Sequence, residues 1–214
     1  MKNLLHVGCG PTRLKDLPVW LHSGEWAEVR YDIDPSVEPD VVGTLQDMSI
    51  IEDGVIDAIY SSHNIEHVWA FEVPIVLREF HRVLGLKSFA RILCPDMQSV
   101  AEAVSMGVLD EPLYISPAGP IAALDIIYGH QAAIAKGNDF MAHKTAFTDT
   151  TLAKALEDAG FDGIAVARDY VYGLHAIAFK GDWADEDISG VVEGLMPARG
   201  QCKRMQSFGS INIA

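Results

Sequence analysis

Cysteine, basic charge and long apolar runs are all in short supply, and each shortage excludes something. Three cysteines, Cys9, Cys94 and Cys202, stand at no metal-like spacing. They leave no disulfide framework and point to a reducing compartment. Sixteen basic residues against thirty acidic ones give a formal net charge of −14. Such a surface repels phosphate backbones and anionic lipid heads, so neither nucleic acid nor membrane is expected as a partner. No run approaches the length of a transmembrane helix, and Met1 to Val7 lack the apolar region of a signal peptide. The expected location is cytoplasmic. A neutral or cationic small molecule, a sugar or a protein is the expected partner.

What is present is enough apolar residue for a core: 49% of 214 residues, which suits one domain or one domain with an appendage. Short β-like runs cover 4–7, 28–33, 41–43, 55–61, 89–94, 164–166 and 174–179. Helical spacing fills the intervals. Val76, Phe80, Val83 and Leu84 share one face, with Pro74 in the first turn and Gly85 as a stop. Leu152, Ala155, Leu156 and Ala159 repeat the pattern, with threonines before them and Gly160 after. The alternation predicts an α/β fold, doubly wound around a mostly parallel, seven-stranded, Rossmann-like sheet.

Two stretches break the alternation. Residues 97–147 exceed one crossover helix. Met97, Val100, Ala101 and Val104 predict one helix capped by Asp96, and Ile121, Leu124 and Tyr128 another. A helical insert after the fifth strand is expected there, over the carboxyl ends of the strands where open α/β sheets bind ligands. Residues 1–180 then form the ligand-binding domain and 181–214 a C-terminal extension. The extension is acidic at Asp182 to Asp187 and basic at Arg199, Lys203 and Arg204. It can dock on its own domain, join the insert in pairing two copies of the chain, or stay free.

Gly8-Cys9-Gly10 follows the first strand, and glycine there lets the backbone turn tightly and approach a ligand. Asp32 ends the second strand, where a carboxylate can accept hydrogen bonds from both ribose hydroxyls. A dinucleotide fingerprint has a third glycine where this chain has Arg13. That substitution points away from NAD and towards a nucleoside ligand without phosphates.

The stretch Asp57-Ala58-Ile59-Tyr60-Ser61-Ser62-His63-Asn64-Ile65-Glu66-His67 resembles the segment after the Gly-rich motif in class I S-adenosylmethionine-dependent methyltransferases. It is most similar to a bacterial group with D-x-x-x-S-x-H-x-x-E-H. Residues 77–84, 90–96 and 156–161 resemble later parts of that group, so the likeness spans roughly 3–180. S-adenosylmethionine is the cofactor it implies. Gly8, Cys9 and Gly10 would face the methionine part and sugar, and Asp32 the ribose hydroxyls. Ile33 would pack on adenine, with Asp47 and Met48 beside its amino group. Ser62 and His63 would close the methionine end. The chain departs from the pattern at His6, where an acid is usual, at Pro18 and Gly24 after the Gly-rich turn, and at Gly85-Leu86-Lys87-Ser88 in place of Pro-Gly-Gly.

Methyl transfer to oxygen calls for a base, and His63, His130 and His143 are the catalytic candidates. His67 reads as an anchor for a helix start. The run from His63 to His67 also matches the inverted zinc-protease signature H-x-x-E-H, which needs both histidines on a helix, whereas His63 directly follows a strand. Certain O-methyltransferases of this fold resemble it with E-x-x-E-H around a divalent ion. Here the first position is histidine, with His130 or His143 available to complete a shell, and no metal site is assigned. The reading is a methyltransferase acting on a small-molecule or glycan acceptor, chiefly at oxygen. The alternative is a non-catalytic nucleoside-binding module.

Overall fold

The computed structural model describes residues 1–198 and 201–211. Arg199 and the last residues of the extension lie outside them. Among the described residues there are ten strands and six α-helices. The strands are β1 (Lys2–Val7), β2 (Trp26–Asp32), β3 (Val41–Val42), β4 (Ile56–Ser62), β5 (Leu84–Pro95), β6 (Pro112–Ser116), β7 (Gly119–Ala122), β8 (Gly163–Asp169), β9 (Gly173–Lys180) and β10 (Cys202–Gly209). The helices are α1 (Val73–Val83), α2 (Met97–Ser105), α3 (Ala123–Tyr128), α4 (Gln131–Ile134), α5 (Asp149–Asp158) and α6 (Asp185–Leu195).

Eight strands form one sheet in the order β10-β8-β9-β5-β4-β1-β2-β3. The ladders from β3 through β5 are parallel. Those joining β5, β9, β8 and β10 are antiparallel. The expected seven strands are therefore eight, and the added one is β10, from the extension. The order reverses between β1 and β4, so the loops after these strands open a crevice at the sheet's carboxyl edge.

Both faces are covered, but unequally. On one face α1 and α5 press Val76, Leu77, Phe80, Leu152 and Leu156 onto Leu5, Ile59, Ile92 and Ile164. Pro74 lies in the first turn of α1, and Thr148 caps α5 by accepting the Thr151 N–H. On the other face no α-helix follows β1. Pro18 and Gly24 leave only two short 3-10 turns, Leu14–Asp16 and Val19–His22. The extension supplies the missing cover: Ile188, Val191, Val192 and Leu195 of α6 pack with Leu17, Leu21, Trp26, Phe89 and Phe179. A Cβ at Gly194 would sit 2.1 Å from the Trp20 ring, so glycine permits that approach. Among the described residues no helix is long and apolar enough to cross a membrane.

The insert is mixed rather than helical. Asp96 caps α2 as expected, accepting the Gln98 N–H. The chain then makes a β6–β7 hairpin before the short α3 and α4, and Ile121 lies on β7 rather than on a helix. Val100, Ile121, Ala123 and Ile126 form its own small core.

Candidate active site

The crevice begins with the Gly-rich turn. Gly8 and Gly10 both adopt left-handed φ, +55° and +50°, where a side chain is strained. A Cβ on Gly8 would stand 1.6 Å from Asn64 Oδ1, whereas the space over Gly10 is open. Asn64 donates from Nδ2 to the Val7 and Ser62 carbonyls, tying the ends of β1 and β4 together. Arg30, almost fully buried, donates to the carbonyls of Gly10, Thr12, Val37 and Glu38. It thereby clamps the loops after β1 and β2. Neither Asn64 nor Arg30 stands out in sequence, because their partners are backbone atoms brought close only by the sheet.

Asp32 accepts the Gly10 N–H on one carboxylate oxygen (2.8 Å) and the Asp34 N–H on the other (2.9 Å). An ionised carboxylate has about four acceptor directions. Two remain for vicinal hydroxyls in a cavity of about 340 Å³ that Asp32 helps to line. Gly8, Gly10, Ile33 and His63 of the sequence-derived set share this wall, joined by Thr44, Leu45, Gln46, Asn64 and Phe140.

The other residues of that set lie off the wall. Cys9 is buried, and burial pushes its thiol up to about 11, so it serves as a small core residue in the turn. Met48 is fully buried under α1, with its N–H donated to Glu79. Asp47 is exposed and accepts the Ser49 N–H. Ser62, half-buried, faces neither cavity. Asp47 and Met48 lie off this wall because the chain turns three residues earlier, where Tyr31 Oη donates to the Thr44 and Asp47 carbonyls. His6, where an acid was usual, is buried and bonded through Nδ1 to Glu28 at 2.8 Å.

A second cavity, about 280 Å³, adjoins the first. Its lining is mostly apolar, with Leu93, Tyr114, Ile121, Ile126 and Tyr172. All four histidines singled out by the sequence, His63, His67, His130 and His143, reach it, together with Asp169. His63, His67 and Met141 belong to both cavities and form the partition. Gly129 brings His143 there: a Cβ at 129 would lie 1.9 Å from the Met141 carbonyl, so only glycine lets the strand-like segment pass. The N–H groups of Lys144 and Thr145 then dock on the Glu66 carbonyl.

Behind the partition stands Glu66, 1% exposed. Its Oε1 meets His63 Nδ1 at 3.2 Å, and its Oε2 has no hydrogen-bond partner among the described residues. Burial works against its charge, but the His63 hydrogen bond and the nearby imidazoles outweigh burial and hold the carboxyl below its usual range. His67 Nδ1 donates to the Ala142 carbonyl (3.1 Å) and His143 Nδ1 to the Ile126 carbonyl (2.7 Å). A carbonyl can only accept, so each ring, when neutral, keeps its lone pair on Nε2. Burial lowers the pKa of His143 and favours that neutral form. His63 itself carries φ +54°, a strained backbone for a non-glycine, and its side chain is 53% exposed.

Asp169 is held differently. It accepts from the Val171 and Gly173 N–H groups and from His175 Nε2, whose Nδ1 faces buried Arg91 at 2.7 Å. Burial opposes its charge, but these donors win and keep its carboxyl below the ordinary value.

No protein-family model and no curated protein sequence matches this chain. Solved structures do. An S-adenosylmethionine-dependent methyltransferase from Methanosarcina mazei is 15% identical over 84% of this chain and 93% of its own, with a TM-score of 0.54. One from Mesorhizobium loti is 15% identical over 82% and 90%, also at 0.54. One from Archaeoglobus fulgidus is 15% identical over 84% and 86%, at 0.51. At this identity the likeness is one of fold: an α/β architecture with a mostly parallel central sheet.

Proposed function

We propose that this chain is a methyltransferase that takes its methyl group from S-adenosylmethionine and gives it to a small-molecule or sugar hydroxyl. The observation that carries the reading is the pair of adjoining cavities, one holding Asp32 and the Gly-rich turn, the other lined by four histidines. The first fits a nucleoside. Asp32 keeps two acceptor directions for ribose hydroxyls, Ile33 and Leu45 offer apolar contact to a base, and the bare backbone at Gly10 lets the sugar approach. Its volume lies within the range of small-ligand sites.

Bound S-adenosylmethionine supplies an electrophilic methyl carbon on a sulfonium. The acceptor oxygen bonds to that carbon as the carbon–sulfur bond breaks, and the electron pair stays on the neutral thioether. The protein's part is to hold donor and acceptor in line and dry, so its walls matter more than any covalent step. The partition of His63, His67 and Met141 lies where the two would meet. We assign the acceptor's proton to His130, half-buried on the second cavity with no side-chain hydrogen bond among the described residues. His63 orients the acceptor from the partition.

Calorimetric titration with S-adenosylhomocysteine and S-adenosylmethionine tests the first half, and methyl transfer from labelled cofactor to a panel of hydroxylated acceptors the second. Binding with turnover is expected. Failure of either ligand to bind rejects the reading. Binding without transfer to any acceptor favours a nucleoside-binding module.

A further inference from the structure

We propose that Glu66, His67 and His143 form a binding site for a single divalent transition-metal cation in the wall between the two cavities. One ligand atom from each lies within 4.8 Å of the other two, and among the described residues no other group of histidine, cysteine or carboxylate meets that condition. The imidazole rings of His67 and His143 stand 4.9 Å apart between centroids.

Three independent features make this more than proximity. First, Glu66 Oε2 is buried with no hydrogen-bond donor. A lone buried carboxylate oxygen is unfavourable unless something positive meets it. Second, both Nδ1 atoms are spent on backbone carbonyls, Ala142 and Ile126, which leaves both Nε2 lone pairs free to ligate. A backbone carbonyl on the far nitrogen is the usual outer support of a metal-bound histidine. Third, His63 holds the other Glu66 oxygen, so the carboxylate is already oriented before any ion arrives. A tetrahedral ion with bonds of about 2.0–2.1 Å spaces its ligand atoms roughly 3.4 Å apart, so small side-chain rotations close the set.

The ligand set is one the E-x-x-E-H resemblance does not give. Position 63 supports the carboxylate instead of ligating, and the third ligand comes from the far end of the insert. Two imidazoles and one carboxylate select zinc, cobalt or a similar ion over magnesium, which takes oxygen ligands and water. Three protein ligands leave one position open, as at catalytic rather than structural sites. His67 and His143 both line the second cavity, from which an acceptor could reach that position. Lewis-acid activation of a hydroxyl is the chemistry such an ion supplies. That role rests on the methyl-transfer reading, whereas the site itself does not.

The test uses the full chain, freed of metal by a chelator and dialysed. Cobalt(II) is titrated while visible absorption is followed, and zinc is then added in competition by calorimetry. One equivalent of cobalt with a tetrahedral spectrum, displaced by zinc, is expected. Glu66→Gln, His67→Gln and His143→Gln should each weaken binding about 100-fold or more, whereas His22→Gln, on the surface, should leave it unchanged. Thermal unfolding shows which variants are folded. No stoichiometric binding of either ion by the folded parent chain overturns the proposal. So does a folded His143→Gln chain that binds as tightly as the parent. Homocysteine-nucleoside binding is measured on the same samples without metal. Loss of metal binding alone rejects this site, and loss of nucleoside binding alone rejects the functional reading.

Discussion

The side chain of Asn64 occupies the position that a Cβ on residue 8 would take, with Oδ1 only 1.6 Å from it. Asn64 and Gly8 are therefore one device: the amide laces β1 to β4, and the absent side chain makes room for it. Gly8→Ala should be destabilised by about 1–2 kcal/mol from left-handed backbone alone, and further by the clash. Asn64→Gly in the same chain should recover the steric part and leave the backbone part. A denaturant double-mutant cycle measures the coupling. Additive losses would separate the two residues.

Asp32→Ala should weaken S-adenosylhomocysteine binding by about 1–3 kcal/mol, since two hydrogen bonds to a charged group are lost. It also removes the acceptor of the Gly10 N–H, so part of the effect is a looser turn. Asp32→Asn keeps an acceptor and should fall between. Unaltered calorimetric affinity in both would move the nucleoside elsewhere.

Arg82 bonds to Glu79, Asp53 and the Met48 and Ile51 carbonyls, while Glu79 accepts the Met48 N–H. This network anchors the segment that follows Thr44–Gln46 on the first cavity's wall. Arg82→Ala should lower stability by about 1–3 kcal/mol and weaken nucleoside binding several-fold without touching the ligand. Intact affinity in a destabilised variant would show that the wall stands without its anchor.

Leu195→Ala, in α6, should lower unfolding free energy by about 2–5 kcal/mol, as truncation in any core does. Exposed Ile75→Ala should change it by less than about 0.5 kcal/mol. A mild Leu195 variant in a urea titration would mean that α6 is only loosely applied.

Burial lowers the pKa of His6, His81, His143 and His175 from the ordinary value of 6.5. Below pH 6.5 the unfolded chain takes up protons that the folded chain refuses, so stability must fall as pH falls through that range. Glu66 and Asp169, held below their usual values, add a further loss at more acid pH. Melting temperatures in chelator should drop from pH 7.5 to 5.5. A flat or rising series contradicts these environments.

Much of this was legible in sequence, where local signals and tertiary context agree. Pro74 and the Val76–Phe80–Val83 stripe define α1 because a helix end and a buried face are both local properties. That Gly8, Gly10 and Asp32 meet at one wall was legible because a Gly-rich turn and a strand-end acid are local too. Met48 was not, since its direction depends on Tyr31 and Glu79 from other elements. The β6–β7 hairpin hides in Pro112 to Ala122, where Pro117 and Pro120 read as loop although only Pro117 lies in the turn and Pro120 is within β7. β10 hides because Cys202-Lys203-Arg204-Met205 has no alternation, and its strand state comes from pairing with β8. His63, His67, His130 and His143 are legible as a strand-end group, but their shared cavity is set by the fold of the insert.

That α6 rather than a crossover helix covers β1 and β2 has a consequence for the order of assembly. Trp20 and Trp26 emerge from the ribosome long before the helix that buries them, which begins at Asp185. At roughly 5–20 residues per second the nascent chain carries this bare apolar face for many seconds. The cavity beside Asp32, built on β1 and β2, then waits on α6. Synthesis through α6 becomes the condition for covering this face, and a chain cut before Asp185 leaves it bare.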